Sequence, residues 1–436
     1  MRGLAEGDAR QDPDQRSEAR IARSTTDDRR LGNILRSCRV PAALTLLLGG
    51  LLFSAPALAA GSPENHFRLE LGISYDSNPF LTPSAPYFDQ NSENTLEPEA
   101  QPTFFLPLRV KGEHILPFPG GRNYVYSRYE VRANLYDKAF SRNADELFLR
   151  FAPGMRFGLG GPGGRERYLT VTPFVSHNKE IYFDRDTGLA VSTDGEDISS
   201  RYSYNALGTV AELQMEASNA FQLYIEGLYE KRNYESVPEL ESFNHDRVHV
   251  EGGMTVKLGR RARLTLDYGY RLQRYDERHA RSLAGESDDI NSLLEYGYTN
   301  LGAKMKLRPT SAWTVDIVWR RTDRDDRFSG YNDYAQDTYK LRTTVRTGPF
   351  EIGVHTKSWQ RRFENAFIFD SPTDPRDGNA NPSKSYDTIA AELYGKLRIS
   401  QSWRFIMRVE RTDQKTADPR LAYERDQLLL GLEWSP

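Results

Sequence analysis

The stretch ARLTLDYGYRLQRYD, residues 262–276, alternates almost without fault. Leu264, Leu266, Tyr268, Tyr270 and Leu272 fall on one side of an extended chain, and Arg263, Thr265, Asp267, Arg271 and Gln273 on the other. Successive strand side chains point to opposite faces. A period of two over this length therefore predicts a strand with one face out of water and one face in it.

The pattern recurs from residue 66 to the end. Sixteen segments alternate in this way, near 66–76, 103–115, 123–136, 146–157, 166–179, 203–216, 221–234, 246–258, 262–275, 293–307, 312–322, 338–347, 350–361, 387–399, 403–412 and 426–434. Gly, Pro, Asn, Asp and Ser mark the breaks between them. The breaks alternate in length: 77–102, 180–202 and 362–386 are long, whereas 217–220, 259–261, 348–349 and 400–402 are tight. Hairpins with short turns at one end and long loops at the other describe an all-β, antiparallel, up-and-down transmembrane barrel.

Composition agrees. Charged residues make up 27% of the 436 residues, and mean hydropathy is -0.66. That excludes a bundle of membrane helices, each of which needs about 20 apolar residues in a row. It leaves a barrel open, because only every second residue of a barrel strand meets lipid. The net charge of -3 argues against nucleic acid as a partner. A soluble sandwich or propeller is the rival architecture. Against it stand the length of the strands, apolar faces free of Asp, Glu, Lys and Arg, and two bands of aromatics. Phe157, Phe221, Trp313, Phe350, Trp403 and Trp434 collect near the short turns; Tyr75, Tyr229, Tyr270, Trp319 and Tyr339 collect near the long loops. Two aromatic girdles suit the two interfaces of a bilayer.

One run, VPAALTLLLGGLLFSAPALAA at 40–60, is wholly apolar or small. Arg36 and Arg39 precede it and Ala57-Leu58-Ala59 closes it, the layout of a secretory signal cleaved after Ala59. A membrane anchor is the rival. The polar lead 1–33 implies a start assigned too far upstream, or a real extension. Residues 1–59 are thus expected to be signal plus lead, and 60–436 the barrel. Cys38, the single cysteine, would leave with the signal, so disulfides and thiol chemistry are not expected. The expected location is the cell outer membrane of a Gram-negative bacterium. Lipid, lipopolysaccharide and the barrel assembly machinery are the expected partners.

At RLELGISYDSNPFLTP, residues 68–83, the first strand runs into Tyr75-Asp76-Ser77-Asn78, an apolar residue and a proline nearby. This resembles the opening of the beta-barrel porin 2 family, and is similar to the barrel portion of the surface lipoprotein assembly modifiers. The resemblance implies an outer-membrane barrel that conducts solutes or assists secretion. The modifiers carry helical repeats ahead of the barrel; here only about seven residues separate Ala59 from the first strand, so no such module is expected. Outer-membrane proteins commonly end on an aromatic, and Trp434 is expected to serve as that residue from two positions inside the end.

Sixteen strands enclose a lumen wide enough for water. The polar phase supplies its lining: Lys340, Arg342, Arg346, Lys357, Arg361, Lys396, Arg398, Arg404 and Arg408, against Glu351, Glu392 and Glu410. Arg263 and Arg271 join them from the opening stretch. So basic a wall either guides an anionic solute or polymer, or is neutralised by loop acids such as Asp323, Asp325, Asp326, Asp370, Asp374 and Asp377. The segment FENAFIF, 363–369, could constrict the lumen, contact a partner or extend its strands. His249 and His355 fall in lumen phase with no nucleophile or metal motif beside them, so no catalysis, metal or cofactor is expected. Three functions remain: a porin-like channel for small or anionic solutes; an accessory barrel in exopolysaccharide or lipoprotein secretion; and a surface anchor with a plugged lumen.

Overall fold

In the computed structural model, residues 63–89, 94–120, 122–137, 145–160, 165–180, 198–237, 241–368 and 380–436 are described. The expected signal, its cleavage point and Cys38 lie outside them. The strands are β1 (Glu64–Asp76), β2 (Tyr87–Asp89), β3 (Asn94–Leu96), β4 (Thr103–Pro117), β5 (Tyr124–Tyr136), β6 (Glu146–Gly158), β7 (Arg167–Lys179), β8 (Tyr204–Ser218) and β9 (Phe221–Tyr234). They continue with β10 (His245–Leu258), β11 (Ala262–His279), β12 (Leu293–Leu307), β13 (Trp313–Asp326), β14 (Tyr334–Thr347), β15 (Phe350–Phe367), β16 (Ser383–Arg398), β17 (Trp403–Thr416) and β18 (Tyr423–Trp434).

Sixteen of these form one closed antiparallel barrel in sequence order, with β1 pairing both β4 and β18. β2 and β3 make a small separate hairpin in the first long loop. The alternating pattern foretold every barrel strand. It stopped short at the loop ends: β11, β13, β15 and β17 run about four residues or more further, and β14, β16 and β18 begin about three or four earlier. Those extensions carry charge on both faces, as in Arg321-Thr322-Asp323-Arg324, so the period that marked the lipid-facing segment is lost there. Asp323, Asp325 and Asp326 therefore belong to β13 and not to a loop. FENAF, 363–367, continues β15, with Ala366 buried; Phe369 is outside the described residues.

Inside and outside can be told from hydrogen bonds that skip a strand, which only a concave face permits. Tyr126 on β5 meets Thr172 on β7 at 2.5 Å, Thr344 on β14 meets Tyr394 on β16 at 2.7 Å, and Lys396 on β16 reaches Glu433 on β18 at 3.0 Å. The other phase is apolar yet bare: Leu207 is 63% exposed and Ile73 60%. A soluble protein rarely leaves so continuous an apolar surface to water. On β11 the outward face reads Leu264, Leu266, Tyr268, Tyr270, Leu272, and charge begins at Arg274. That is about the 9–11 residues a tilted strand needs to cross hydrocarbon.

Tilt is visible in the register. Following ladder partners from Glu70 through Arg109, Arg132, Phe148, Asn178 and Tyr204 leads to Tyr234. The path climbs from mid-strand in β1 to the loop end of β9, as a closed barrel with sheared strands requires. Aromatic rings cover strand glycines directly opposite: Tyr129 over Gly112, Tyr126 over Gly154, Phe174 over Gly208, Tyr224 over Gly253 and Tyr394 over Gly353. A Cβ at any of the five would strike the ring. Each ring thereby shields backbone that glycine leaves bare. Two tight turns need the left-handed region, and Gly259 (φ 71°) and Gly348 (φ 54°) supply it.

Candidate functional site in the barrel lumen

The inward phase holds every cation that the alternation placed there. Lys340 faces Lys357, Arg342 faces His355, and Arg346 faces Glu351 across the β14–β15 ladder. Arg361 lies between Tyr334 and Trp359 and donates to Gln336 at 2.7 and 2.9 Å. Arg398 faces Arg404, and Arg408 faces Tyr394. Arg263 lies between Lys257 and Lys306, and Arg271 stacks 3.6 Å over Tyr298. His249 and His355 are inward, and so is His245, on a strand that begins one residue earlier than the alternation suggested.

These cations divide into two groups. Arg346 bonds Glu351 at 2.6 Å; Lys396 and Arg404 bond Glu433 at 3.0 and 2.6 Å; Arg408 bonds Glu70 at 3.1 Å. Arg68 also pairs with Glu433. Among the described residues the neutralising acids are wall residues; of the six aspartates expected in loops, Asp323, Asp325 and Asp326 stand on β13, and Asp370, Asp374 and Asp377 lie outside the described residues. Glu433 (1% exposed) stands on the last strand directly opposite Arg404, and Glu70 stands on the first, which only closure brings beside Arg408 of β17. Reading β14 to β17 alone hid them, although Glu433 stands in polar phase next to outward Trp434. Lys340, Lys357, Arg342, Arg361, Arg398, Arg263 and Arg271 have no carboxylate partner among the described residues.

The opposite arc is acidic. Glu212 faces Glu226, and Glu226 faces Glu251, on β8, β9 and β10. Tyr224 Oη donates to Glu251 at 3.0 Å, and Arg320 reaches Glu251 at 3.5 Å and Asp267 at 2.9 Å. Glu212 and Glu226 have no cation partner among the described residues. Sequence reasoning missed these carboxylates: the alternation places them in the polar phase, but their direct opposition depends on register, which it does not give.

Toward the long loops the lumen wall becomes aromatic. Tyr275, Tyr296, Tyr298, Tyr334 and Phe363 pack with Ala280 and Leu294. Arg324 lies 4.4 Å over Tyr296 and 4.3 Å over Tyr334, a favourable cation–π arrangement. The segments after β11 and β13 fold onto this cluster: Ser329 Oγ donates to the Arg281 carbonyl, and Asn365 Nδ2 to that of Gly330. Asp333 accepts from the Asp326 N–H at 2.5 Å. Burial, with Asp325, Asp326 and Glu364 nearby, raises the Asp333 pKa above the ordinary carboxylate value.

The seam between β1 and β18 is the barrel's shortest ladder, from Leu69 opposite Trp434 to Asp76 opposite Gln427. Gly72 faces Gly431 in it, and a Cβ on either would lie 2.6 Å from a backbone carbonyl. Above the last rung sits a dense lock built from the Tyr75–Asn78 motif. Asp76 (0% exposed) receives Arg425 Nε at 2.9 and 3.0 Å, Arg425 Nη2, Gln427 Nε2 at 2.8 Å and the Asn78 N–H at 3.0 Å. Asn78 Nδ2 donates to the Thr82 and Glu424 carbonyls while its Oδ1 accepts the Thr82 N–H. These bonds hold Leu81 between them at φ 56°, a conformation costly for a residue with a Cβ.

All the girdle aromatics point outward. Phe157, Phe221, Trp313, Phe350, Trp403 and Trp434 stand at the short-turn end, where Trp434 contacts Trp403 and Phe67. Tyr75, Tyr229, Tyr270, Trp319 and Tyr339 stand toward the loop end. Above them comes a collar of outward ion pairs, including Arg321–Asp337 at 3.0 Å and Arg362–Asp387 at 2.9 Å. Trp319 Nε1 and Tyr229 Oη each donate to a collar aspartate at 3.3 Å. Rings reaching from hydrocarbon to a polar band mark an interface.

A closed sixteen-strand barrel, greasy outside and charged inside, is a transmembrane β-barrel. The chain is structurally similar to OmpT, an outer membrane protein of Vibrio cholerae: TM-score 0.43, 9% identity, covering 86% of this chain and 100% of that one. A Rhodopseudomonas blastica porin triple mutant gives TM-score 0.34 at 9% identity, with 86% and 100% covered. No protein-family model matches the sequence, and no curated protein matches it as a relative. At such scores the class rests on the closed ladder and the bare apolar face.

Proposed function

We propose that this protein is an outer-membrane channel that passes small hydrophilic solutes and favours anions. One observation carries the reading: Lys340 and Lys357 face each other on adjacent strands, beside Arg342, with no carboxylate partner among the described residues. Like charges directly opposite destabilise a sheet, and a transient anion relieves that repulsion. Rings of Lys and Arg select anions in pores, and sixteen strands leave room for an aqueous path. The Tyr75–Asn78 motif, which carries the resemblance to the beta-barrel porin 2 family, serves closure here and says nothing of the solute.

The test is reversal potential across planar bilayers holding the detergent-folded protein under a potassium chloride gradient. Chloride preference is expected, weakened in a Lys340→Gln, Arg342→Gln, Lys357→Gln triple variant. Absence of conductance, or preference for potassium, would overturn the reading.

A further inference from the structure

A recess of about 600 Å³ opens in the lumen wall toward the short-turn end, lined from β1 through β4 to β9 and by Ser435 and Pro436. That lies within the roughly 300–1,000 Å³ of small-molecule sites. Its charges are sorted. At one end lie Glu212 and Glu226, which face each other with no cation partner among the described residues. Nearer its middle lies Arg150 of β6, whose guanidinium sits 4.1 Å over the Phe174 ring and has no carboxylate partner among the described residues. The remaining cations of the recess are committed: Arg128 to Glu113 at 2.6 Å, Lys111 to Glu130 at 2.9 Å, and Arg68 to Glu70 and Glu433. Between Arg150 and the two carboxylates, Thr170 and the hydrogen-bonded Thr172–Tyr126 pair offer hydroxyls.

We infer that this recess binds a small zwitterion whose ammonium and carboxylate lie several ångströms apart, a class represented by unblocked dipeptides. The spacing fits. In ladder register Arg150 lies six residues along the strands from Glu212, but its guanidinium leans over Phe174, opposite Gly208, four residues or about 13 Å of strand from Glu212; that leaves room for a ligand with a hydrogen bond of about 3 Å at each end. An extended dipeptide spans about 7 Å. Arg150 takes the carboxylate, where a guanidinium can give two parallel hydrogen bonds. Glu212 and Glu226 share the ammonium, which also ends their mutual repulsion. A simple anion would satisfy one end and leave the facing carboxylates as they were. The site requires a wet lumen but not a conducting one, so it stands apart from the channel reading.

The test is titration calorimetry on the full-length detergent-folded protein, with alanyl-alanine as probe and its N-acetyl and C-amide forms as controls. The free dipeptide is expected to bind, and each capped form about tenfold or more weaker, for loss of a charged hydrogen-bond partner. In a Glu212→Gln, Glu226→Gln variant the free and N-acetyl peptides become equivalent. In Arg150→Gln the free and amidated peptides become equivalent, while Arg150→Lys retains part of the difference. Removing the two carboxylates takes away a repulsion, so that variant is expected to fold, and heat-dependent gel migration checks this. No binding of alanyl-alanine, equal binding of the capped forms, or folded variants that still discriminate would each overturn the inference.

Discussion

Breaking the Asp76–Arg425 lock should destabilise the barrel far more than breaking a pair of the outer collar. Asp76 is fully buried, and both its oxygens are taken by Arg425, Gln427 and the Asn78 amide. Arg425→Ala would strand a buried carboxylate on two remaining donors. Removing one partner of a buried pair typically costs about 3–5 kcal/mol, because the other charge is left uncompensated. Arg411 provides the contrast. It pairs with Glu424 and Asp426, yet its side chain is 57% exposed, and such pairs are worth about 0–1 kcal/mol. Reversible urea unfolding in lipid or detergent measures both. Arg425→Ala and Asp76→Ala should each lose several kcal/mol, and Arg411→Ala about 1 or less. An Asp76→Leu, Arg425→Leu double variant should lose less than either single change, because the stranded charge is gone. A single loss no larger than that of Arg411→Ala, or losses that simply add in the double variant, would refute the lock.

Two further outcomes follow from orientation and burial. Ile225 faces outward on β9 and Leu228, three residues on, faces the lumen; Ile225→Arg should cost about 2–4 kcal/mol near the bilayer midplane and Leu228→Arg much less, and equal costs by urea unfolding would reverse the assigned faces. Asp333 has a raised folded-state pKa, so its protonated form favours the folded loop: that contribution is present below the ordinary carboxylate pKa and is lost as pH rises through the raised value. Hydrogen-exchange protection at 327–333, corrected for intrinsic rate, should fall as pH rises above the ordinary carboxylate pKa of about 4, and Asp333→Asn should flatten the trend.

The lipid-facing architecture was legible because hydrocarbon enforces a strict rule. Each outward residue from Leu264 to Leu272 must be apolar, and the inward neighbours are free to be charged, so the period of two survives in the sequence. Where the strands leave the membrane, as at Arg274 or Arg321–Asp325, both faces are wet and the signal stops, although the ladder continues. The same limit applies inside. Phase alone tells that Lys340 and Glu226 are inward. It does not tell that Lys340 meets Lys357, that Glu226 meets two carboxylates, or that Glu70 and Glu433 come to rest beside Arg408 and Arg404. Those meetings depend on pairing register and on which strands are joined last. The Tyr75–Asn78 motif was noticed as a likeness; its bonds to Arg425 and Glu424 span some 346 to 349 residues of chain and have no local sequence mark.

The seam also sets the order of assembly. Every other ladder of the barrel joins consecutive barrel strands, so each can zip as a hairpin soon after its two halves meet. The join of β1 to β18 brings together the two ends of the barrel, the costliest loop to close in the molecule. Until then the nascent sheet has two raw edges, whose unpaired backbone groups are penalised by several kcal/mol each in lipid. Nucleation can begin at any hairpin, but completion has a single route. Asp76 and Arg425 engage only at that final step, so they act on the rate at which a finished barrel reopens and leave the early hairpins untouched.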